Sequence, residues 1–164
     1  MSRRIESHRM LGRIVACALC IASLATTAGS QEPARGVDAA PRFAVVDVYL
    51  NSDEPLAAWQ FELAESAGLM QVVGIEGGEA DVFSEPPYYD RDAVQGGTAD
   101  RIIVASFTTE ALTALPIGRT RVATVHVRLG GSATPDYDLR LVAAGAPDGR
   151  SIDADISLDT RSGR

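Results

Sequence analysis

Lysine is absent from this 164-residue chain, and cysteine is nearly so, because the only two cysteines are Cys17 and Cys20 near the N-terminus. Beyond residue 30 there is also a single histidine, His126. These shortages exclude a disulfide framework, a cysteine or histidine nucleophile and a zinc site from the rest of the chain. Its stability must therefore come from a hydrophobic core alone.

The first 30 residues have the layout of a signal peptide. Four arginines come before an apolar run at residues 14–25, and small residues follow at 26–30. The run is too short to span a bilayer comfortably, so we predict cleavage and no stable membrane insertion afterwards; a retained N-terminal anchor is the alternative. Cys17 and Cys20 lie inside this run, which argues against a redox or metal role for them. The predicted location is secreted, either periplasmic or extracellular.

Charge narrows the choice of partners. The chain carries a net charge of −7, and the predicted leader holds four of the arginines but only one acid, Glu6, so the remainder is more acidic still. An acidic surface argues against nucleic acid and against anionic membranes as partners, whereas it is compatible with divalent cations. We expect a polar linker at residues 31–42, one monomeric domain at 43–159 and a short tail at 160–164.

Alternation of apolar and polar residues predicts β-structure. Val46, Val48 and Leu50 share one face of a run whose other face carries Asp47 and Tyr49. The next run repeats the pattern and places Trp59 in the core. A period of two with one polar face is typical of antiparallel sheets. We predict seven strands, at residues 43–50, 56–64, 70–76, 101–107, 120–129, 136–144 and 151–158.

The spacing of these strands, with Gly and Pro turns between them, indicates an all-β fold, an antiparallel β-sandwich or jelly roll. The run at 101–107 (RIIVASF) is apolar on both faces, so we place it centrally in a sheet. In the last run Ile152, Ala154, Ile156 and Leu158 face inward. One or two helical turns are expected at 108–115, with Thr109 as a plausible cap.

A long acidic loop at residues 76–100 interrupts the strand pattern. Loops of this length in compact domains are commonly functional or disordered. Its aromatic residues Phe83, Tyr88 and Tyr89 are candidate contacts for a sugar ring or a partner side chain. Its carboxylates could instead supply oxygen ligands to Ca²⁺, the only cofactor considered, from Glu79, Asp81, Asp90 and Asp92. A third interpretation is that the aromatic residues pin the loop to the sandwich and the acids are merely solvated.

No catalytic constellation is apparent, and the chain is not predicted to be an enzyme. His126 alternates with apolar neighbours and is expected to face solvent beside Arg128. Ser106 lies in the middle of a predicted strand rather than on a nucleophile turn. Carboxylates paired at i and i+2 share one open strand face, which does not suit a glycosidase cleft.

The strand chemistry resembles that of cohesin-type modules, which share a β-sandwich fold with several carbohydrate-binding modules. The similarity lies in Ala58-Trp59-Gln60-Phe61-Glu62-Leu63, in the apolar run 101–107, and in Gly118 followed by residues 122–127 (VATVHV). It extends over about residues 43–158. It implies a jelly-roll sandwich, an extracellular or envelope location, and non-catalytic recognition of a protein module or a polysaccharide. The alternatives are a structural envelope or matrix component that assembles with other proteins and, third, a hydrolase.

Overall fold

The computed structural model describes residues 40–162, and these residues form an all-β fold, as predicted. The predicted signal peptide and residues 31–39 of the predicted linker lie outside the described part. All seven predicted strands are present. The elements in chain order are β1 (Arg42–Ser52), β2 (Ala58–Glu65), β3 (Met70–Gly77), α1 (Arg91–Gln95), β4 (Arg101–Phe107), β5 (Gly118–Leu129), β6 (Tyr137–Gly145) and β7 (Asp155–Ser162).

The strands form two antiparallel sheets that pack face to face. The larger sheet has the order β3-β5-β1-β7 and the smaller has the order β4-β2-β6. Every pairing between neighbouring strands is antiparallel. Three of these pairings contain a register shift, at Val48/Tyr49, Gln60/Phe61 and Val72/Gly74. Such bulges bend and twist the strands locally.

The core lies between the inner faces of the two sheets. Alternate residues of β1 and β2 are buried, as their sequence pattern predicts, including Val46, Val48 and Phe61. Trp59 is also buried, which confirms its predicted core position. Its ring stacks on Phe61 with the centroids 5.6 Å apart and meets Phe83 edge-on at 5.9 Å. The aromatic residues therefore link β2 to the segment that follows β3.

The prediction that residues 101–107 form a central strand is wrong. β4 is the edge strand of the smaller sheet, and β2 occupies the centre. The outer residues of the strand are apolar although no other element within residues 40–162 covers them: Ile103 and Phe107 are 46% and 61% exposed. Burial on both faces is the usual cause of such a pattern, but an exposed apolar surface produces it equally.

Several predicted boundaries are corrected. The last strand begins at Asp155 rather than at residue 151, and it extends to Ser162 because its whole length pairs with β1. Residues 160–162 therefore belong to the sheet and not to a tail. Arg42 belongs to β1 and not to the linker. The helical turn between β4 and β5 is a 3₁₀ turn at Leu112–Ala114 that begins after Ala111, so Thr109 does not cap it.

The segment between β3 and β4 has regular structure of its own. It contains a 3₁₀ turn at Asp81–Phe83, a two-residue bridge at Tyr88 and the short helix α1. The start of the segment forms a tight turn, in which the Gly78 amide donates to the Phe83 carbonyl (2.7 Å). The turn is held against β5 of the larger sheet, since the Glu79 amide donates to the Arg121 carbonyl (2.9 Å). A Cβ on Gly77 would collide with the backbone of Ser84. Within residues 40–162 no helix is long and apolar enough to cross a membrane.

Candidate functional site

The outer face of the smaller sheet is the candidate site. Inward and outward residues alternate along β2, so that Ala58 and Gln60 point away from the core while Trp59 and Phe61 point into it. The register places small residues directly beside them. We call the resulting surface the apolar face; it consists of Ala58, Gln60, Tyr88, Ala105, Phe107, Ala143 and Gly145.

Two aromatic side chains stand on this face beside the small residues. Tyr88 joins the free edge of β4 through a bridge with Ala105, in which each amide donates to the other carbonyl (2.8 and 3.0 Å). Directly opposite residues in an antiparallel pair point to the same side of the sheet, so Tyr88 lies on the face that carries Phe107. The two rings are almost parallel, at 9°, with their centroids 6.0 Å apart. Tyr88 is 67% exposed and Phe107 is 61% exposed.

The aromatic pair borders two depressions. One, of about 340 Å³, has Ala58, Ala105, Ala143 and Gly145 among its lining residues, together with Gln60 and Arg150. The other, of about 360 Å³, lies against Pro86, Pro87, Tyr89 and Arg91. Tyr88 and Phe107 line both, so they form a ridge between two shallow grooves. Such a surface offers aromatic and methyl contacts with a few polar groups at its margins.

Charged residues bound the apolar face at the other end of the small sheet. Glu62 accepts hydrogen bonds from Arg101 (2.5 Å) and from Arg140 (2.7 Å), which flank it on the neighbouring strands. These two guanidinium groups lower the pKa of Glu62 to about 2. A second ion pair, between Arg150 and Glu54, holds the Arg150 side chain near the Ala-Gly groove. Ion pairs therefore lie at both ends, and the apolar face between them carries no charged side chain.

The three predicted contact residues differ in their exposure to solvent. Tyr88 lies at the surface. Tyr89 is half-buried, with the Arg91 guanidinium 5.5 Å from its ring centroid. Phe83 is buried against Trp59 and is not available to a surface ligand, so it pins the segment to the core, as the third interpretation of the loop expects.

Phe107 and Gln60 are members of the apolar face that sequence reasoning missed. The signal was present in residues 101–107, where Ile103, Ala105 and Phe107 make the outer side of β4 as apolar as its inner side. That pattern predicts an exposed apolar surface as well as it predicts a buried strand. Only the position of β4 at the sheet edge distinguishes the two.

The four predicted Ca²⁺ ligands are not brought together. The Glu79 carboxylate accepts from the Arg121 amide at 2.9 Å, and the Asp90 carboxylate caps α1 by accepting from the Ala93 amide at 2.9 Å. Asp81 lies in the 3₁₀ turn and Asp92 in α1. Among residues 40–162, no group of three or more His, Cys, Asp or Glu side chains is arranged to hold a metal ion.

Two further polar features lie away from the apolar face. A depression of about 500 Å³ lies at one end of β1 and β7, lined by Asn51, Asp53, Glu54, Asp153 and Asp155. Oxygen ligands of this type can bind a hard cation such as Ca²⁺. One of them, the Glu54 carboxylate, is already paired with Arg150. His126 is half-exposed, and its Nε2 lies 2.9 Å from Glu76 Oε1. Neither feature supplies a nucleophile with its base.

Comparison with known proteins adds no identification. No protein-family model matches the chain, and no curated protein or solved structure matches it either. The functional inference therefore depends on the geometry of the chain itself.

Proposed function

We propose that this chain is a secreted, non-catalytic binding domain that recognises a protein module or a polysaccharide through the apolar face. The observation that carries the proposal is the exposure of Tyr88 and Phe107 side by side. Aromatic side chains of this size are usually buried, and exposed pairs next to one another mark contact surfaces. Among the large apolar side chains on the outer face of the small sheet, these two rings are more exposed than Ile103, which is 46% exposed, so they are its most prominent contact group.

The small residues of the apolar face beside the Tyr88–Phe107 ridge favour close contact with a flat partner. Alanine and glycine at positions 58, 105, 143 and 145 leave no long side chains that would lose entropy on binding. Gln60 supplies an amide that can both donate and accept among these small residues. A sugar ring stacked on an aromatic residue, or an apolar side chain of a protein partner, would be accommodated equally by these groups.

The fold assignment that accompanies this proposal is a cohesin-like jelly roll. Its support is the set of strand patterns at residues 58–63, 101–107 and 122–127 and the two-sheet architecture. The secreted location is supported by the leader pattern of residues 1–30. The absence of any assembled nucleophile, base and acid within residues 40–162 favours binding over catalysis.

The test compares two aromatic-removal variants. The apolar-face variant carries Tyr88→Ala and Phe107→Ala together, and the control carries Phe43→Ala on the larger sheet, where Phe43 is 57% exposed. Each is screened against an array of purified polysaccharides, and protein contacts are captured by a photo-crosslinking amino acid placed at position 143. Aromatic hot spots at interfaces contribute about tenfold or more each to affinity.

The expected result is binding that the control retains and that the apolar-face variant loses by at least about tenfold. Circular dichroism and thermal melts establish that both variants are folded. Binding that survives removal of both aromatic residues would place the recognition surface elsewhere. A folded wild-type protein that neither binds the array nor crosslinks to any partner from its own culture would overturn the proposal.

A further inference from the structure

The outer edge of β7 is open. Along its inner edge β7 pairs with β1 over eight residues without a register shift, from Asn51↔Asp155 to Ala44↔Ser162. Within residues 40–162, no strand pairs with its other edge. Asp155–Ser162 contains no proline or bulge, two of the devices that protect an edge strand from pairing with another chain; its charged residues are Asp155, Asp159 and Arg161. Its outward amides and carbonyls are therefore available to a second strand.

The apolar residues of β7 are also incompletely covered. Ile156 and Leu158 face the core side but are only half-buried. An opening of about 620 Å³ lies beside Leu158, with Leu129, Pro135 and Tyr137 among its lining residues. A strand added to the edge of β7 would extend the sheet over this opening and remove Leu158 from water.

We propose that two copies of this chain associate by antiparallel pairing of their β7 strands about a two-fold axis at Leu158. The partner is a second copy because the charge pattern of β7 is self-complementary in that register. Asp155 then lies opposite Arg161 of the other copy, and this pair occurs twice because of the symmetry. Arg161 donates two hydrogen bonds to Asp47 of its own chain, which leaves its remaining N–H groups free for the second carboxylate.

The neighbouring registers are disfavoured by like charges. Residues on one face of a continuous sheet pair only with residues on the same face, so the axis moves in whole-residue steps. Centring it on Ser157 places Asp155 opposite Asp159, and centring it on Asp159 places that residue opposite itself. Only the axis at Leu158 pairs all of residues 155–161 without a like-charge contact.

This pairing differs from the monomer expected from the sequence, and it is independent of the proposed binding function. β7 belongs to the larger sheet, whereas the apolar face lies on the outside of the smaller one. A dimer formed in this way would leave the apolar face of each copy exposed, so it would present two binding surfaces.

The test uses the full chain in sedimentation equilibrium, with two substitutions that each change the charge by one unit in the same direction. Asp155→Ser removes both attractive pairs and is expected to weaken dimerisation by about tenfold. Ser157→Arg places a cation opposite Asp159 of the other copy and is expected to strengthen it by a similar factor. General relief of repulsion in an acidic protein would instead move both variants in the same direction.

A crosslink defines the axis. In a chain with Cys17→Ala and Cys20→Ala, Leu158→Cys is expected to form a covalent dimer under mild oxidation, because opposite residues in an antiparallel pair lie within disulfide range. Ile156→Cys is the matched control, since its counterpart lies four residues away along the paired strand. A wild-type chain that remains monomeric at all concentrations, charge variants that shift together, or equal crosslinking at both positions would overturn the proposal.

Discussion

The outer faces of the two sheets differ in how their side chains are satisfied. On the larger sheet, polar groups bind one another across strands. Asp47 is only 4% exposed, and it accepts from Arg161 (2.7 and 2.9 Å) and from Thr124 (2.8 Å). Arg121 donates to Thr124 and to the Gly77 carbonyl. On the smaller sheet, ion pairs lie at the ends, and the aromatic residues between them, Tyr88 and Phe107, are 67% and 61% exposed.

The difference indicates which face is structural and which is available for binding. On the face of the larger sheet, the buried carboxylate of Asp47 and the Thr124 hydroxyl already have hydrogen-bond partners, so they gain little from a new ligand. An exposed aromatic ridge above alanine and glycine gains by being covered, because its apolar area is still in contact with water. The same β-sandwich therefore presents a face that stabilises the fold and a face that is open to a partner.

Among substitutions on the outer faces of the two sheets, the largest effect on stability is expected in the hydrogen-bond network of Asp47, Thr124 and Arg161 on the larger sheet. Burial disfavours the charged form of Asp47, but hydrogen bonds from Arg161 and Thr124 more than offset this and lower its pKa. Asp47→Asn should therefore reduce the free energy of unfolding at pH 7 by about 1–3 kcal/mol, measured by urea denaturation. Because the folded pKa is lowered, this contribution is present above the ordinary pKa of an aspartate and is lost as the pH falls below it. Equal free energies of unfolding for the variant and the wild type at neutral pH would show that the hydrogen bonds of Asp47 contribute nothing to stability.

A smaller effect is expected at Tyr49 on the same face. The Arg119 guanidinium lies 3.5 Å from its ring centroid, and Arg119 also pairs with Asp159 at 3.0 Å. Tyr49→Leu keeps an apolar side chain but removes the π-face, so the loss should be about 0.5–1 kcal/mol in chemical denaturation. Tyr49→Phe is the control and should remain close to wild type. A similar loss in both variants would assign the effect to the hydroxyl rather than to the ring.

Glu62 tests whether the charged border of the smaller sheet matters for folding. Its pKa is lowered to about 2 by Arg101 and Arg140, so it stays ionised in the folded state while an unfolded chain would take up a proton near its ordinary value of 4.5. Its stabilising contribution is therefore present above about pH 4.5 and is lost as the pH falls towards 2. Glu62→Gln removes this contribution, so it should lower the melting temperature at pH 7, modestly because both arginines are exposed to solvent, and it should flatten the fall in melting temperature between about pH 4.5 and 2. An unchanged acid profile would contradict the assignment.

The smallest effect on stability is expected where the effect on binding is largest. Tyr88→Ala and Phe107→Ala remove exposed rings, so their combined loss of unfolding free energy should be about 0.5 kcal/mol or less. Chemical denaturation of the double variant measures it, with Phe61→Ala as a buried-aromatic control that should lose about 3–5 kcal/mol. A loss in the double variant as large as that of the control would make the ridge part of the core and remove the contrast between the two faces.

Local patterning predicted much of the fold. The seven strands and the burial of Trp59 follow from alternation, because a strand with one wet face repeats every two residues whatever its partner. The ends of β7 were misplaced since they depend on pairing with β1, more than 100 residues away. For the site, loop composition made Tyr88 and Phe83 alike candidates for surface contact or for pinning the loop, and the structure exposes Tyr88 while Phe83 fills the core. An aromatic side chain in a loop carries no local signal that tells which way it points.

The sequence alone determined the class of the protein: an acidic chain with a signal-like leader, no cysteine or lysine after residue 30, and strands of alternating polarity. These properties depend on composition and on neighbouring residues. Tertiary structure decided the rest. It placed β4 at a sheet edge, joined Tyr88 to it through a bridge, and brought Phe107, which lies 19 residues further along the chain, beside that ring. Among the strands of residues 40–162 it also left the outer edge of β7 unpaired, because which strands become neighbours depends on long-range pairing that no local pattern encodes.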